Sequence, residues 1–331
     1  MTTARTTAQL NRRAIVTGVQ GQDGYYLSRM LLDRGYQVTG ISRRHSSKYD
    51  RGPVHYDSEY REIEGDICDT SFMMSLIKKE QPNEFYNLAA QSHVGYSFEN
   101  PDTTFDVNAN AVLGMLEAIR LTSPHTKFYQ ASTSEMFGTV ASGMASERTT
   151  LSPASPYGVA KTAAHHMVRV YRESYGLFAC SGILFNHESS RRGKDFVTRK
   201  VTAFVADYKR YVPTTGQKLK LGNIESVRDW GWAPDYVRGM MMMLDKQDPD
   251  DYVLATGGTR SIRNLLDVAF NHVGITDWTK IVEHNTPEDL RPNDVTRLCG
   301  NADKARYELG WEPTIGFEQM IREMVDAEKT L

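Results

Sequence analysis

The stretch Ala14-Ile15-Val16-Thr17-Gly18-Val19-Gln20-Gly21-Gln22-Asp23-Gly24 decides the fold. Ala14 to Val16 is short, apolar and partly β-branched, the composition of a buried strand. A helix is predicted from Tyr25 to Arg34, with Leu27, Met30 and Leu31 on one face and Gly35 as its left-handed stop. Between strand and helix lie Gly18, Gly21 and Gly24. Glycines at such a turn let the backbone approach a pyrophosphate, whose charge then meets the helix N-terminus. The trio alone is a weak signal. Its place between a strand and a helix, with a second strand following at Gln37 to Ile41, makes it a dinucleotide-binding turn.

Working outward, the second strand runs into Ser42-Arg43-Arg44, where an NAD-specific site often carries Asp or Glu. A guanidinium there can pair bidentately with a ribose 2'-phosphate, so the expected cofactor is NADP. Tyr60 to Glu64 leads to Gly65-Asp66-Ile67, with Asp66 placed to accept from an adenine amino group. Helices are predicted over Ser71 to Lys79 and Thr104 to Leu121, and strands over Glu84 to Leu88, Lys127 to Tyr129 and Ala179 to Phe185. This alternation predicts an α/β fold with a doubly wound parallel sheet. The dinucleotide-binding domain is expected over residues 13–185, after a loose tail at 1–12, with about 225–258 returning to it. Residues 186–331 would form most of a smaller, interleaved C-terminal α/β substrate domain, with a short strand at Lys218 to Leu221, a strand at Tyr252 to Ala255 and helices at Phe196 to Tyr211, Asp235 to Leu244, Arg260 to Val273, Lys304 to Leu309 and Phe317 to Glu328.

The chemistry is expected between Ala131 and Lys161. Ser155-Pro156-Tyr157-Gly158-Val159-Ala160-Lys161 opens a helix at Pro156 and sets Tyr157 and Lys161 one turn apart on one face. An ammonium one turn away favours the phenolate, so Tyr157 is expected to titrate below its usual ~10 and serve as a base. Ala131-Ser132-Thr133-Ser134-Glu135 follows a predicted strand, which puts Thr133 and Glu135 at the carboxyl edge of the sheet.

The net charge of -2 leaves no electrostatic footprint for nucleic acid or an anionic membrane. Cys68, Cys180 and Cys299 are scattered and odd in number, so neither a disulfide framework nor a metal site is expected, and a cytoplasmic setting fits. No apolar run approaches the ~18 residues of a membrane span.

These residues together resemble the extended short-chain dehydrogenase/reductase superfamily and, within it, the GDP-mannose 4,6-dehydratase family. The likeness runs through Thr17 to Gly24, Arg43 to Ser47, Asn87 to Val94, Phe128 to Gly138, Ser155 to Lys161, Gly182 to Arg192, Phe196 to Lys200, Leu221 to Asn223, Arg228 to Val237, and Arg291-Pro292. It implies a lyase with Thr133, Glu135 and Tyr157 as catalytic set and Lys161 in support. It implies NADP held by Gly18, Gly21, Gln22, Asp23, Gly24, Arg43, Asp66, Ile67, Leu88, Ala89, Ala90, Gln91, Ser92, Val107, Lys161, His187 and Arg192. It places a GDP-sugar, GDP-mannose by default, on Asn186, Lys200, Arg228 and Arg291. It also implies a homotetramer, a dimer of dimers, in which the Arg43 to Ser47 loop reaches the neighbouring subunit's cofactor. Asn293-Asp294 and Ser189-Ser190 depart from the family pattern, which leaves a related GDP-sugar such as GDP-manno-heptose open. Two activities compete on this fold, a 4,6-dehydration and a 4-epimerisation or 4-reduction. Glu135 separates them, because only dehydration needs a carboxylate beside the threonine.

Overall fold

The computed structural model describes residues 12–43, 58–140, 143–285, 295 and 297–328. Arg44, His45, Ser46 and Ser47 of the expected inter-subunit loop, and Arg291, lie outside the described residues.

The strands are β1 (Arg13–Thr17), β2 (Gln37–Ser42), β3 (Tyr60–Glu64), β4 (Glu84–Asn87), β5 (Lys127–Thr133), β6 (Ala179–Leu184), β7 (Asn186–Glu188), β8 (Leu219–Leu221), β9 (Val227–Trp232), β10 (Tyr252–Leu254), β11 (Thr259–Ser261) and β12 (Val282–His284). The helices are α1 (Gln22–Asp33), α2 (Thr70–Glu80), α3 (Val94–Glu99), α4 (Pro101–Phe105), α5 (Ala111–Thr122), α6 (Pro156–Tyr175), α7 (Val197–Thr215), α8 (Ala233–Leu244), α9 (Ile262–His272), α10 (Asp303–Leu309) and α11 (Phe317–Glu328).

The main sheet is seven-stranded, in the order β3-β2-β1-β4-β5-β6-β10, and every pairing in it is parallel. Its central strands are buried on both faces because helices cover both. One core lies between the sheet and α1 and α8, with Leu27, Leu31, Tyr129 and Met240 in it. The other lies under α2, α5 and α6, with Ile15, Phe85, Leu116 and Val168. Each such buried side chain contributes about 1.5–3 kcal/mol over an exposed one. The edge strand β3 is blunted by the charged side chains of Arg61, Glu62 and Glu64. The chain reverses direction across the sheet between β1 and β4, and there the crevice for a ligand opens beyond the strands' carboxyl ends.

A second unit covers that crevice. It holds the sheet β11-β9-β7, the pair β12-β8, and helices α7, α9 and α11 around Trp230, Phe270 and Ile321. Its strands are three to six residues long and carry Asn186, His187, Glu188, Arg228 and Asp229. That polar composition hides β7, β9 and β11 from a reading based on apolar runs.

Local differences from the sequence reading have local causes. Helix α1 begins at Gln22 and not Tyr25, because Gly21 takes an extended backbone (φ -69°, ψ 172°) and caps it. The helix predicted from Thr104 to Leu121 is interrupted by a π-turn at Asp106–Asn110. Inside it, Asn108 bonds both the N–H and the carbonyl of Gln91, which pulls the turn toward the β4 loop. Strand β5 runs on to Thr133, so the threonine is the last residue of the strand itself.

Candidate active site

Three turns meet at the carboxyl ends of β1, β4 and β5. At the end of β1 the Thr17 hydroxyl accepts from Leu88 N–H (3.1 Å) and Ala89 N–H (3.0 Å) and donates to Asn87 Oδ1 (2.7 Å). Asn87 Nδ2 in turn donates to Gln130 Oε1 of β5 (2.9 Å). This chain of fully buried polar groups fixes the three strand ends relative to one another. Beyond Thr17 the backbone turns through Gly18 at φ +67°, a left-handed conformation that glycine adopts without strain. A Cβ on Gly24 would lie 2.4 Å from the Gly18 carbonyl oxygen, so α1 enters the turn closer than any other residue allows. The cradle therefore fits a dinucleotide diphosphate on its backbone, at the N-terminus of α1.

The cleft that opens from this cradle is a cavity of about 1270 Å³. Its walls include Gly18, Gly21, Gln22, Asp23 and Gly24, then Arg43, Asp66 and Ile67 at one end, and Leu88, Ala89, Ala90, Ser92 and Val107 along the middle. Gln91 does not line it: its N–H goes to Asn108 Oδ1 and its side-chain amide to the His93 carbonyl.

Asp23 in the first turn of α1 meets His187 of β7, with His187 Nε2 2.8 Å from Asp23 Oδ2. Burial acts to raise the Asp23 carboxyl, yet the charge and hydrogen bond of His187 hold it below its usual range. Burial likewise acts to lower His187, and Asp23 raises it. His187 Nδ1 lies 2.7 Å from the Phe185 carbonyl, and a ring with acceptors at both nitrogens is favoured as imidazolium. Gln22 donates to the His187 carbonyl (3.0 Å) and accepts from Ser189 (2.8 Å), so the glycine turn and β7 are stitched together. Arg192 lines the same wall, with Nε 3.1 Å from Glu188 and its guanidinium 3.6 Å from the Phe196 ring centroid.

Thr133, Glu135, Tyr157 and Lys161 all face the cleft. Ser155 caps α6 by accepting from Gly158 N–H (3.1 Å), and Pro156 occupies the first turn, where its missing N–H costs nothing. The Thr133 side chain lies near enough to Tyr157 to act on its phenol, and its Oγ1 accepts from Glu135 N–H (3.3 Å). Glu135 sits in a single 3-10 turn, Ser134–Phe137, directly after β5. The expected fall in the Tyr157 pKa is not what the structure gives. Burial pushes the phenol up to about 12, with Thr133 acting downward and the Glu135 charge upward. Burial takes Lys161 down to about 8. Its ammonium donates to the Ala131 carbonyl (2.9 Å) and lies 6.0 Å from the Tyr157 ring centroid.

Asn186, Lys200 and Arg228 line the far part of the cleft, on the second unit. Residues that the sequence reading did not assign share that wall, among them His93, Glu188, Phe196, Asn223, Ser226 and Trp230. Glu188 could have been found, since it stands in Asn186-His187-Glu188; Trp230 and Ser226 carry no local signal. Among the described residues no helix is long and apolar enough to cross a membrane, and no group of three or more His, Cys, Asp or Glu could hold a metal ion.

The family model described as GDP-mannose 4,6 dehydratase matches residues 15–324. The chain is 45% identical over 330 residues to GDP-mannose 4,6 dehydratase 1 of Arabidopsis thaliana, covering 96% of this chain and 90% of that one. It is 43% identical over 348 residues to the GDP-mannose 4,6-dehydratase of Yersinia enterocolitica, covering 95% and 93%. Among solved structures, a dTDP-glucose 4,6-dehydratase of Bacillus anthracis in complex with NAD superposes with a TM-score of 0.83 at 22% identity, covering 96% and 97%. A UDP-glucose 4-epimerase of Thermus thermophilus with NAD gives 0.82 at 26%, covering 96% and 99%.

Proposed function

This chain belongs to the GDP-mannose 4,6-dehydratase family, and we propose that it converts GDP-D-mannose to GDP-4-dehydro-6-deoxy-D-mannose and water. The observation that carries the reading is Glu135 two residues beyond Thr133, in one cleft with Tyr157 and Lys161. A 4-epimerase or 4-reductase has no use for that carboxylate.

The nicotinamide, when bound, supplies the hydride chemistry, accepting from C4 and returning to C6. The protein's part is proton handling and placement. Tyr157 takes the proton of the C4 hydroxyl while Thr133 holds the C4 oxygen. The 4-ketone acidifies C5–H. Glu135 removes that proton and passes it to the C6 hydroxyl, which leaves as water. When C6 is reduced, C5 must regain a proton, and Glu135 has already given its own away. Tyr157 still holds the one from C4. Tyr157 releases that proton to solvent, and Glu135 takes one up from solvent and delivers it to C5, so each group ends as it began. Positioned acid–base groups of this kind are each worth ~10²–10⁴ in rate.

The cofactor of this reading is NADP. Gly18, Gly21 and Gly24 would carry the diphosphate with the N-terminus of α1, and Arg43 the 2'-phosphate. The nearby carboxylate on β3, Glu62, accepts from Gln20 (2.7 Å), Ser42 (2.6 Å) and Tyr60 (2.9 Å), and this supports NADP because Glu62 is engaged within the protein. Asn186, Lys200, Arg228 and Arg291 would hold the GDP moiety. A homotetramer joined through residues 43–47 belongs to the same reading.

The test is mass spectrometry of GDP-mannose, GDP-manno-heptose, GDP-glucose, UDP-N-acetylglucosamine, dTDP-glucose and CDP-glucose incubated with the protein and a trace of NADP+. Loss of one water from GDP-mannose with no net cofactor reduction is expected. A product of unchanged mass, or a requirement for stoichiometric reductant, would overturn dehydration.

A further inference from the structure

His165 is a buried titratable group that the proposed chemistry leaves unused. It is 8% exposed and faces β5 from α6, four residues after Lys161 and eight after Tyr157, so the three share one face of the helix on successive turns. Its Nδ1 lies 3.2 Å from the Ser132 hydroxyl, which is 3% exposed. Two consecutive residues at the end of β5 thus hold α6 by polar links, Ala131 through Lys161 and Ser132 through His165, directly before Thr133, which acts on Tyr157. Apolar packing fixes the distance of a helix from a sheet more firmly than its position along its own axis, because Ala164 and Val168 touch many partners with little direction. Directional bonds at consecutive residues set that position to a fraction of an ångström, which is the tolerance a catalytic constellation needs.

The surroundings keep the ring in this role. Its Nε2 faces Asp251 Oδ2 at 3.9 Å, but that carboxylate is already held by both terminal nitrogens of Arg172 (2.9 and 2.7 Å) and by Ser181 N–H (2.9 Å). The other charged or titratable neighbours are His166, whose ring centroid is 5.8 Å away, and the guanidinium groups of Arg169 and Arg172. Burial lowers the imidazole pKa, Asp251 opposes this, and the positive neighbours add to it, so the ring is neutral at pH 7 and can pair with Ser132 without carrying charge into the core.

We propose that His165 is a positioning residue: through Ser132 it registers helix α6 on the end of β5 and so holds Tyr157 and Lys161 at their places against Thr133 and Ala131. The activity readout rests on the dehydratase reading above, so a second readout that needs no sugar is paired with it.

The variants are His165→Phe, which keeps the volume, Ser132→Ala, their double combination, and His165→Asn, whose amide can still reach Ser132. In the dehydratase assay the two single variants are expected to lose about tenfold in kcat with KM within about twofold, and the double variant to lose no more than either single one, because both break one bond. His165→Asn is expected to recover most of the loss. The acid limb of the kcat–pH profile moves to higher pH in His165→Phe and Ser132→Ala. Independently, ultraviolet difference titration of the NADP+-loaded protein, with Tyr157→Phe subtracted, shows the Tyr157 phenolate forming at a higher pH in both. A lowered Tm with kcat, acid limb and phenolate titration all unchanged would overturn the proposal, as would losses in the two single variants that simply add. If no sugar nucleotide is dehydrated by the wild-type protein, the functional reading fails while the phenolate titration still decides this one.

Discussion

Lys161 gives its ammonium to the carbonyl oxygen of Ala131, 2.9 Å away and two residues before the threonine at the end of β5. A charged group in a site only 3% exposed is held there against its own hydration. Burial lowers its pKa from 10.5 to about 8. For a base, a lowered folded-state pKa means that the native state binds the proton less well than the unfolded chain. The cost is present in full below about pH 8 and is relieved as the pH rises toward 10.5. Lys161→Met is therefore expected to stabilise the cofactor-free protein at pH 7 by about 1–3 kcal/mol, less at pH 10, while dehydration falls by at least ~10²-fold. Denaturant unfolding at the two pH values and a turnover assay check both halves. A loss of stability at pH 7 would show that the Ala131 bond outweighs desolvation.

Glu135→Gln keeps the shape of the 3-10 turn after β5 and removes the carboxylate that handles the C5 and C6 protons in the proposed scheme. Turnover is expected to drop ~10³-fold with GDP-mannose affinity within a few-fold. In deuterated water the wild-type protein places deuterium at C5 of the product, and the variant does not. Unaltered product formation by Glu135→Gln sinks the dehydratase mechanism.

The Gly24 site tests the cradle. An added Cβ would fall 2.4 Å from the Gly18 carbonyl oxygen and 2.6 Å from the Val19 Cα, both backbone atoms that cannot swing aside. Gly24→Ala should weaken nicotinamide dinucleotide binding by ~10-fold or more and lower Tm, read by fluorescence titration and by thermal melting. Cofactor affinity equal to wild type would mean that the turn does not carry the diphosphate.

Arg43 lines the cleft directly after β2. Arg43→Ala should cut the preference for NADP over NAD by ~10–100-fold, through weaker NADP binding and not through tighter NAD binding. A ratio of the two dissociation constants that does not move removes the 2'-phosphate argument.

The Asp23–His187 pair predicts a pH dependence. His187 has its folded pKa raised above 6.5, so its contribution is complete below that value and fades as pH climbs through the raised pKa. Asp23 has its folded pKa lowered below 3.8, so its contribution is present above 3.8 and lost as pH falls through the lowered pKa. The pair is at full strength between about pH 4 and 6.5. His187→Gln should lower Tm more at pH 6 than at pH 9, measured by calorimetry at both. Equal losses would assign His187 a packing role against the Tyr236 ring, 4.6 Å away.

Much of this was readable from sequence because the signals were local. Gly18, Gly21 and Gly24 stand between an apolar strand and an amphipathic helix, and Tyr157 and Lys161 are one helical turn apart whatever the rest of the chain does. In the second unit β8 was readable as the short strand at Lys218 to Leu221, while β7, β9 and β11 were not. β7 is Asn186-His187-Glu188, and its pairing with β9 follows from tertiary placement and not from residue preference. The π-turn at Asp106–Asn110 was equally hidden, since it answers to Asn108 reaching Gln91 across seventeen positions.

The sequence by itself determined the α/β class, the dinucleotide turn, and which residue types could carry acid–base chemistry, because periodicity and short spacings act within a few residues. Only the tertiary structure decided how those residues meet. It placed His187 against Asp23, 164 positions away, brought Thr133 and Tyr157 into one cleft, and gave the Gln91 amide to the His93 carbonyl. It also reversed the expected direction of the Tyr157 pKa. A spacing fixes which groups are neighbours, but the energy of a charge depends on how much water the packing removes.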